Sequence, residues 1–252
     1  MTPGAVQFAR YAYPPNALGY CGPHDHIALF EYGTAGVVDG GLRHLARDFE
    51  GAWPYLQLIA RSSGKDPLDR NVVEAYWIGN SLLDAVDMAT LGNSMDERFR
   101  TRAGTSWDAV SDAVTAGAKP SHGFHVFCVY PWVGLMRTGL TDQPLQVLDR
   151  CRIRWGKVTE IEGDDAIVDS QPLVLEDDRL VLGPSRPERV VWAHDGHGLA
   201  RNLEPGDLVT MHWGWVCDRV GATEVRTLAA GTAQALALAN RDLARPRSGV
   251  FA

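Results

Sequence analysis

The chain has 252 residues, of which 45% are hydrophobic and 22% charged, so it is long enough to bury a sizeable core in one large domain or two small ones. Its formal net charge is −7, and acidic residues outnumber basic ones in both parts, 16 to 12 in residues 1–150 and 15 to 12 in residues 151–252. A surface that neutralises phosphates is therefore not expected, which argues against a nucleic-acid partner.

The sequence gives no sign of a membrane segment, a secretion signal or a disulfide framework. No apolar run approaches the ~20 residues that span a bilayer, and the first ten residues lack the basic-then-apolar layout of a signal peptide. The cysteines are widely spaced and form no C-x-x-C pair, so a structural zinc site is not indicated either. They are Cys21, Cys128, Cys151 and Cys217. We expect a cytoplasmic protein with no membrane partner.

Residues 1–41 are rich in glycine, proline and tyrosine. Because Pro14-Pro15 and Gly22-Pro23 each disfavour a helix, this stretch is predicted to be an ordered arm without helices. We expect it to pack on the rest of the molecule through Tyr11, Tyr13 and Tyr20.

Helical spacing of apolar residues begins at Leu42. The pattern predicts a helix that Pro54 kinks or divides. Asp66 followed by Pro67 resembles an N-cap and a first helical position, which predicts a second helix over residues 68–88.

Capping signals predict further helices before residue 150. Ser94 and Glu97 fit a capping box that starts a short helix, and Thr105 or Ser106 is expected to cap the next one. The apolar stretch from residue 122 to 137 must be buried, but its spacing suits a strand as well as a helix. Residues 144–150 are predicted to form one or two more helical turns, which gives an expected mainly helical domain of about five helices.

The remainder of the chain predicts strands and one closing helix. A hairpin is expected from residue 151 to 169 around a turn at 162–165, followed by a strand pair over 173–182, a strand over 189–193, a strand carrying His212 over 205–220, and a helix over 223–238. On that strand, alternation turns Trp213 and Trp215 away from His212. The predicted fold is therefore α+β: a mainly helical domain, residues 1–148, then a small OB-like β-barrel of five or six strands with a C-terminal helix, residues 149–252. The nearest linker signal is Asp142-Gln143-Pro144.

Three dispersed motifs in the second part occur in the order typical of a known family. Cys151 stands five residues before Gly156, residues 166–169 read A-I-V-D, and residues 206–215 read G-D-L-V-T-M-H-W-G-W. This part, residues 151 to about 240, resembles the HypC/HupF/HoxL family of [NiFe]-hydrogenase maturation chaperones. Two features differ: Trp155 replaces the family's proline, and Cys151 is internal whereas the family's cysteine becomes the N-terminal residue.

The resemblance implies a fold, a cofactor and partners. The family fold is a small β-barrel with a C-terminal helix, and its equivalents of Cys151 and His212 are implicated in holding an Fe(CN)2CO precursor. The implied partners are a hydrogenase large-subunit precursor and a HypD-type scaffold protein. We therefore expect a metal-centre assembly chaperone rather than an enzyme.

The chemistry of Cys151 and His212 suits the same role, since a thiolate and an imidazole are ligands that a soft iron accepts. Weaker metal-ligand candidates are His122 and His125, which share a helix face at i, i+3 spacing, and Cys21, His24 and His26 in the N-terminal stretch. Each of these is also compatible with an ordinary packing or surface role.

Two alternatives to an assembly chaperone remain open. In the first, the chain is a metalloenzyme whose helical domain holds iron or zinc through histidines and Cys21 or Cys128 and acts on a small molecule. In the second, it is an interaction module whose metal-handling residues have lost their role.

Overall fold

A computed structural model of the protein describes residues 2–103 and 107–245. The fold is mixed α/β, with helices over most of the chain up to Cys151 and strands followed by a long helix after it. The helices are α1 Gly4–Ala17, α2 His26–Ala35, α3 Gly40–Arg47, α4 Trp53–Ser63, α5 Arg70–Trp77, α6 Met88–Ala103, α7 Trp107–Thr115, α8 His122–Phe124, α9 Trp132–Arg137, α10 Asp142–Cys151 and α11 Ala222–Leu243. A 3-10 helix, Ser81–Ala85, and a π-helix, His125–Val129, complete them.

The N-terminal stretch is helical, so the prediction of an arm without helices is wrong. It contains α1 and α2, and the Pro14-Pro15 pair lies in the last turn of α1. There the fixed φ of proline is compatible with the helix, and the loss is limited to two helical hydrogen bonds. Nearly all of α1 is buried, and this burial outweighs the two missing bonds. Tyr11 packs in the core as expected, and the rings of Tyr13 and Tyr20 contact those of Trp215 and Trp213, although Tyr20 remains largely exposed.

The next helices partly follow their sequence signals. The division at Pro54 is confirmed: α3 ends at Arg47, and α4 begins with Pro54 in its first turn. The second predicted helix is shorter than expected, because Asp69 rather than Asp66 caps α5 by accepting from the Asn71 backbone N–H. It ends before Gly79, whose φ of 103° is left-handed.

The capping box predicted at Ser94 is wrong, because Ser94 lies inside α6. That helix starts earlier, where the Asp87 carboxylate accepts from the Thr90 backbone N–H at 2.7 Å. The caps predicted at Thr105 and Ser106 lie outside the described residues.

The apolar stretch from residue 122 to 137 is helical rather than a strand. It begins as α8, continues as the π-helix, and resumes after Pro131 as α9. The π-turn closes with the Tyr130 N–H donating to the His125 carbonyl at 3.0 Å. Pro131 has no N–H with which to continue the α-helical ladder, so the wider turn ends the helix.

Five strands form a closed sheet after Cys151. The strands of the chain are β1 Arg154–Glu162, β2 Asp165–Ser170, β3 Leu173–Glu176, β4 Arg179–Leu182, β5 Arg186–Val191, β6 Ala193–His194, β7 His197–Gly198, β8 Leu208–His212 and β9 Trp215–Arg219. The order of the closed sheet is β1-β2-β5-β9-β8, and β8 pairs back onto β1. The predicted hairpin of β1 and β2 is confirmed.

Two details of the strand prediction are wrong. The single strand expected over residues 205–220 is a hairpin, in which Trp213 and Gly214 make the turn with φ of 50° and 80°. The pair over 173–182 forms as predicted, with Asp177 and Asp178 left-handed in its turn, but it is a separate two-stranded sheet. It attaches to α11, where the Asn240 side chain bonds both backbone groups of Leu180.

The buried core continues across the predicted domain boundary. The largest buried cluster combines apolar side chains of α1, α4 and α5 with Ile153, Cys217 and Leu228. Residues 142–144, the predicted linker, form the first turn of α10. The division between residues 148 and 149 stays a prediction.

The predicted closing helix is present as α11, which spans 22 residues. Within residues 2–103 and 107–245, neither it nor any other helix combines the length and apolar character needed to cross a bilayer.

Candidate functional site

Three elements that are distant in sequence bring His122, Cys151 and His212 together. His122 opens α8, Cys151 is the last residue of α10, and His212 is the last residue of β8. One candidate ligand atom from each lies within 4.8 Å of the others, and all three residues are buried. The sequence predicted the convergence of Cys151 and His212 and offered His122 as a weaker candidate. Their role as metal ligands stays a prediction.

A backbone carbonyl fixes the orientation of His212. Its Nδ1 lies 2.7 Å from the carbonyl oxygen of Tyr11, so Nδ1 carries the proton and donates it. That carbonyl is free of an α-helical bond because its partner four residues later is Pro15, which has no N–H. The Nε2 atom therefore carries the lone pair, and it is buried without a hydrogen-bond partner among the described residues.

A second carbonyl fixes the orientation of His122. Its Nε2 lies 2.7 Å from the carbonyl oxygen of Cys151, so Nε2 donates and Nδ1 carries the lone pair. The hydroxyl of Tyr76 lies 3.4 Å from that Nδ1. Each of these two imidazoles thus uses its proton on the backbone, which is the arrangement by which metal-ligating histidines are commonly oriented.

Burial keeps all of these groups uncharged near neutral pH. It lowers the pKa of His122 to about 4 and lowers the pKa of His212 well below its ordinary value. It raises the pKa of the Cys151 thiol to about 12, an effect that Cys21 reinforces and the Trp213 side chain opposes. A cation entering the group would therefore meet the unpartnered lone pair of His212, would have to displace the Tyr76 hydroxyl from the lone pair of His122, and would have to displace one thiol proton.

The group faces a cavity of about 280 Å³. Its walls are mainly aromatic and apolar, and among its described lining residues there is no Asp, Glu, Lys or Arg. The aromatic lining residues are Tyr20, Phe49, Tyr76, Trp77, Tyr130, Trp132 and Trp213. An outer groove shares Tyr20, Cys21, Gly51, His125 and Tyr130 with the cavity, so these residues lie between the site and the surface.

The predicted orientation of Trp213 is wrong. Instead of pointing away from His212 on a strand, it sits in the β8–β9 turn and lines the same cavity. Its ring stacks on Tyr20 with centroids 4.4 Å apart, and its backbone N–H donates to the Arg150 carbonyl. This last bond ties the turn after His212 to the end of the helix that carries Cys151.

His125 also lines the cavity but does not belong to the group of three. Its Nδ1 lies 3.1 Å from the Tyr55 hydroxyl, and its Nε2 is buried without a partner among the described residues. Burial, with smaller effects of His122 and Arg98, lowers its pKa well below the ordinary value.

The other candidates lie apart from the group. Cys21 lines the cavity and the groove, whereas His24 and His26 are exposed beside the start of α2. Cys128 lies in the π-helix and Cys217 in β9, and neither lines the cavity. Tyr11, Pro15 and Tyr76 position the site, a role that was not predicted for them from the sequence. Pro14-Pro15 carried a usable signal, since a proline inside a helix leaves the carbonyl four residues earlier without its helical partner.

A soft thiolate and two imidazoles form a ligand set that suits zinc, copper or iron. Three protein ligands beside a cavity leave at least one coordination position for a further ligand, as in catalytic or transfer sites rather than closed structural ones.

Comparison with known proteins gives a single finding. A family model described as "Family of unknown function (DUF6390)" matches residues 1–246. No curated protein and no solved structure matches the chain.

Proposed function

Since this chain belongs to the DUF6390 family of unknown function, we propose from its own residues that it binds a soft transition-metal ion through His122, Cys151 and His212 and serves in the assembly of an iron centre. The observation that carries the proposal is the convergence of these three side chains, within 4.8 Å, at a buried cavity. Buried polar groups are normally paired, so a histidine nitrogen left without a partner at this point favours a ligand.

The assembly role rests on the resemblance to the HypC/HupF/HoxL family. The two residues that the family implicates in holding Fe(CN)2CO, Cys151 and His212, are among the three that meet here. A closed five-stranded sheet followed by a C-terminal helix agrees with the OB-like barrel of that family, and we infer that this sheet is OB-like. A hydrogenase large-subunit precursor and a HypD-type scaffold are the proposed partners, and cytoplasmic location belongs to the same proposal.

The binding group supplies what transfer of an iron fragment requires. Thiolate sulfur donates to an iron whose other ligands are π-acceptors, and the imidazoles hold adjacent positions. Around them, aromatic walls exclude water from the fragment. In this proposal His122 is a third protein ligand that the family motif does not include.

The test is purification without oxygen, followed by metal analysis and infrared spectroscopy in the cyanide and carbonyl stretching region. We expect iron with diatomic-ligand bands in the wild type, loss of both in Cys151→Ala, and no change in the matched control Cys128→Ala, whose thiol lies outside the cavity. Iron with unchanged bands in Cys151→Ala would refute the proposal. A metal-free protein that still co-purifies with a large subunit would favour an interaction module.

A metalloenzyme is the second candidate, and the cavity favours it. A space of about 280 Å³ beside an open metal position accommodates a small substrate, and His125 is placed there with an unpartnered Nε2. In this case iron or zinc should persist in Cys151→Ala, be lost when His122 and His125 are both replaced, and support turnover of a small molecule.

A further inference from the structure

The charge balance of the proposed metal site specifies its missing ligand. A divalent ion with one thiolate and two neutral imidazoles carries a net charge of +1, which is costly in an apolar cavity unless it is compensated. Among the described lining residues no carboxylate is available to do so. The compensating charge must therefore come from outside the chain, either with the metal, as the cyanides of an Fe(CN)2CO fragment would supply it, or as a small monoanion that reaches a bare metal ion through the cavity.

His125 offers such an anion a hydrogen bond. The Tyr55 hydroxyl has two possible acceptors, His125 Nδ1 at 3.1 Å and the Met95 thioether sulfur at 3.5 Å. Because a thioether is a weak acceptor, the hydroxyl donates to Nδ1, and the proton of the neutral ring is then on Nε2. This Nε2–H is buried and has no acceptor among the described residues.

Arg98 adds a positive charge near His125, and no carboxylate of the described residues lies within ion-pair distance of it. Its guanidinium lies 4.6 Å from the Tyr55 ring centroid, and its Nη2 donates to the backbone carbonyl of Glu50 at 3.4 Å. Its Nη1 is buried without a hydrogen-bond partner. Arg98 lines the outer groove together with Arg47, Asp48, Glu50 and Glu97, whereas the inner cavity has no Asp, Glu, Lys or Arg among its described lining residues.

The backbone leaves the Nε2 atom of His125 accessible. Gly51 lies between cavity and groove, and a methyl group at its Cα would stand 3.3 Å from that Nε2. The absence of a side chain at Gly51 keeps open the space into which Nε2 points. The π-turn that begins at His125 gives the ring its place, and such turns are frequent at functional sites.

We propose that the cavity binds a small monoanion of the cyanide, azide or thiocyanate type, which coordinates the metal at one end and accepts a hydrogen bond from His125 Nε2–H at the other. This inference rests on the proposed metal site. His125 is then a residue that positions the exogenous ligand and sets the preference for an anion.

The test uses Co²⁺ as metal and azide as anion. Sites of this kind bind Co²⁺ more tightly than Fe²⁺, and the cobalt absorption bands report changes in coordination. We expect wild-type protein to take up one Co²⁺ and to bind azide, and His125→Phe to take up Co²⁺ equally but bind azide at least about tenfold more weakly, because one charge-assisted hydrogen bond is lost. The azide stretching frequency should also differ between the two proteins.

Gly51→Ala tests the same point without changing His125. The added methyl covers Nε2, so azide should again bind at least about tenfold more weakly. Gly231→Ala, whose added methyl meets no atom of the described residues within 4 Å, should leave the azide affinity unchanged. Equal azide affinity in wild type, His125→Phe and Gly51→Ala, all with Co²⁺ bound, would overturn this inference and leave the metal site standing. Failure of wild-type protein to bind Co²⁺ would overturn both.

Discussion

At the scale of single residues, two backbone carbonyls decide which nitrogen of each site histidine is available. The carbonyl of Tyr11 holds the Nδ1 proton of His212, and the carbonyl of Cys151 holds the Nε2 proton of His122. A carbonyl oxygen only accepts, so the two rings must adopt opposite tautomers. The lone pairs are thereby set before any ligand arrives.

These tautomers are directly observable. In nitrogen-15 long-range correlation spectra at neutral pH, we expect the pattern of an Nδ1–H ring for His212 and of an Nε2–H ring for His122. Loss of one set of signals in His212→Gln and of the other in His122→Gln provides the assignment. The same tautomer in both rings, or rapid exchange between tautomers, would contradict the proposed orientation.

The Cys151 thiol should make metal affinity depend on pH. Its pKa is raised to about 12 and that of His122 is lowered to about 4. Between about pH 6 and pH 9 the thiol is thus protonated and that imidazole neutral, and each metal ion displaces one proton. Raising the pH weakens proton competition, so the apparent affinity for Co²⁺ should increase about tenfold per pH unit.

Competition titrations against a chromophoric chelator at several pH values measure this slope. Cys151→Ala should bind Co²⁺ weakly and with nearly no pH dependence, while Cys128→Ala should reproduce the wild-type slope. A wild-type affinity that does not change with pH would show that the thiol is not a ligand.

At the scale of elements, local sequence signals predicted some helices and strands correctly, whereas contacts between distant parts of the chain determined the others. The β1–β2 hairpin and α11 were predictable because their turn residues and apolar spacing act over a few positions. Helix α1 was not, because only burial on the rest of the molecule offsets its two prolines. The β8–β9 turn depends on a non-glycine residue, Trp213, at positive φ, for which propensity gives no signal.

The site itself was predictable only in part. The motif order indicated that Cys151 and His212 converge, but the position of His122 depends on where α10 ends, since its Nε2 donates to the Cys151 carbonyl, and on the packing of α8 against α5 and α11. Both are tertiary features that spacing in the sequence does not encode. The cavity and the groove likewise arise from side chains of several helices and of one strand turn.

Gly156, the glycine of the first motif, has a structural role in the closed sheet. A methyl group there would stand 2.5 Å from the Asp169 carbonyl oxygen and from a Val168 methyl, so β1 and β2 approach too closely for any side chain. Gly156→Ala should lower the free energy of unfolding by about 2–3 kcal/mol, the usual cost of overpacking.

Urea denaturation followed by circular dichroism measures that change. Gly40→Ala is the matched control, since no atom lies within 4 Å of the added methyl and its free energy of unfolding should stay close to that of the wild type. Equal stability of Gly156→Ala and Gly40→Ala would mean that β1 and β2 can separate at little cost.

At the scale of the whole molecule, the helices and the closed sheet share polar contacts as well as a core. Arg10 of α1 forms a largely buried ion pair with Asp218 of β9 at 2.9 Å, and the Tyr11 hydroxyl bonds Thr210 of β8 at 2.7 Å. We therefore expect one cooperative unfolding transition, with equal calorimetric and van't Hoff enthalpies. Two separate transitions in scanning calorimetry would instead support independent domains on either side of residue 148.

The buried histidines should also make the whole fold sensitive to acid. For His122 the folded pKa of about 4 lies below the ordinary 6.5, so the unfolded state binds more protons at pH values between the two. The contribution of a neutral His122 to the free energy of unfolding is then fully present above about pH 6.5. It falls as the pH decreases, and about 3 kcal/mol is lost once the pH is below the folded pKa. His125 and His212 act in the same direction, while Asp218, whose pKa burial raises, partly opposes them.

Urea unfolding between about pH 7 and pH 4 measures this loss as the slope of the unfolding free energy against pH. Each histidine that is fully buried and neutral in the folded state should increase that slope by about 1.4 kcal/mol per pH unit. His125→Phe should have a shallower slope than the wild type, because one proton fewer is taken up on unfolding. His24→Gln, which changes an exposed histidine, should keep the wild-type slope. A wild-type slope near zero in this range would mean that the three rings are accessible to protons in the folded state, and the lone pairs of the site would then be open to water as well.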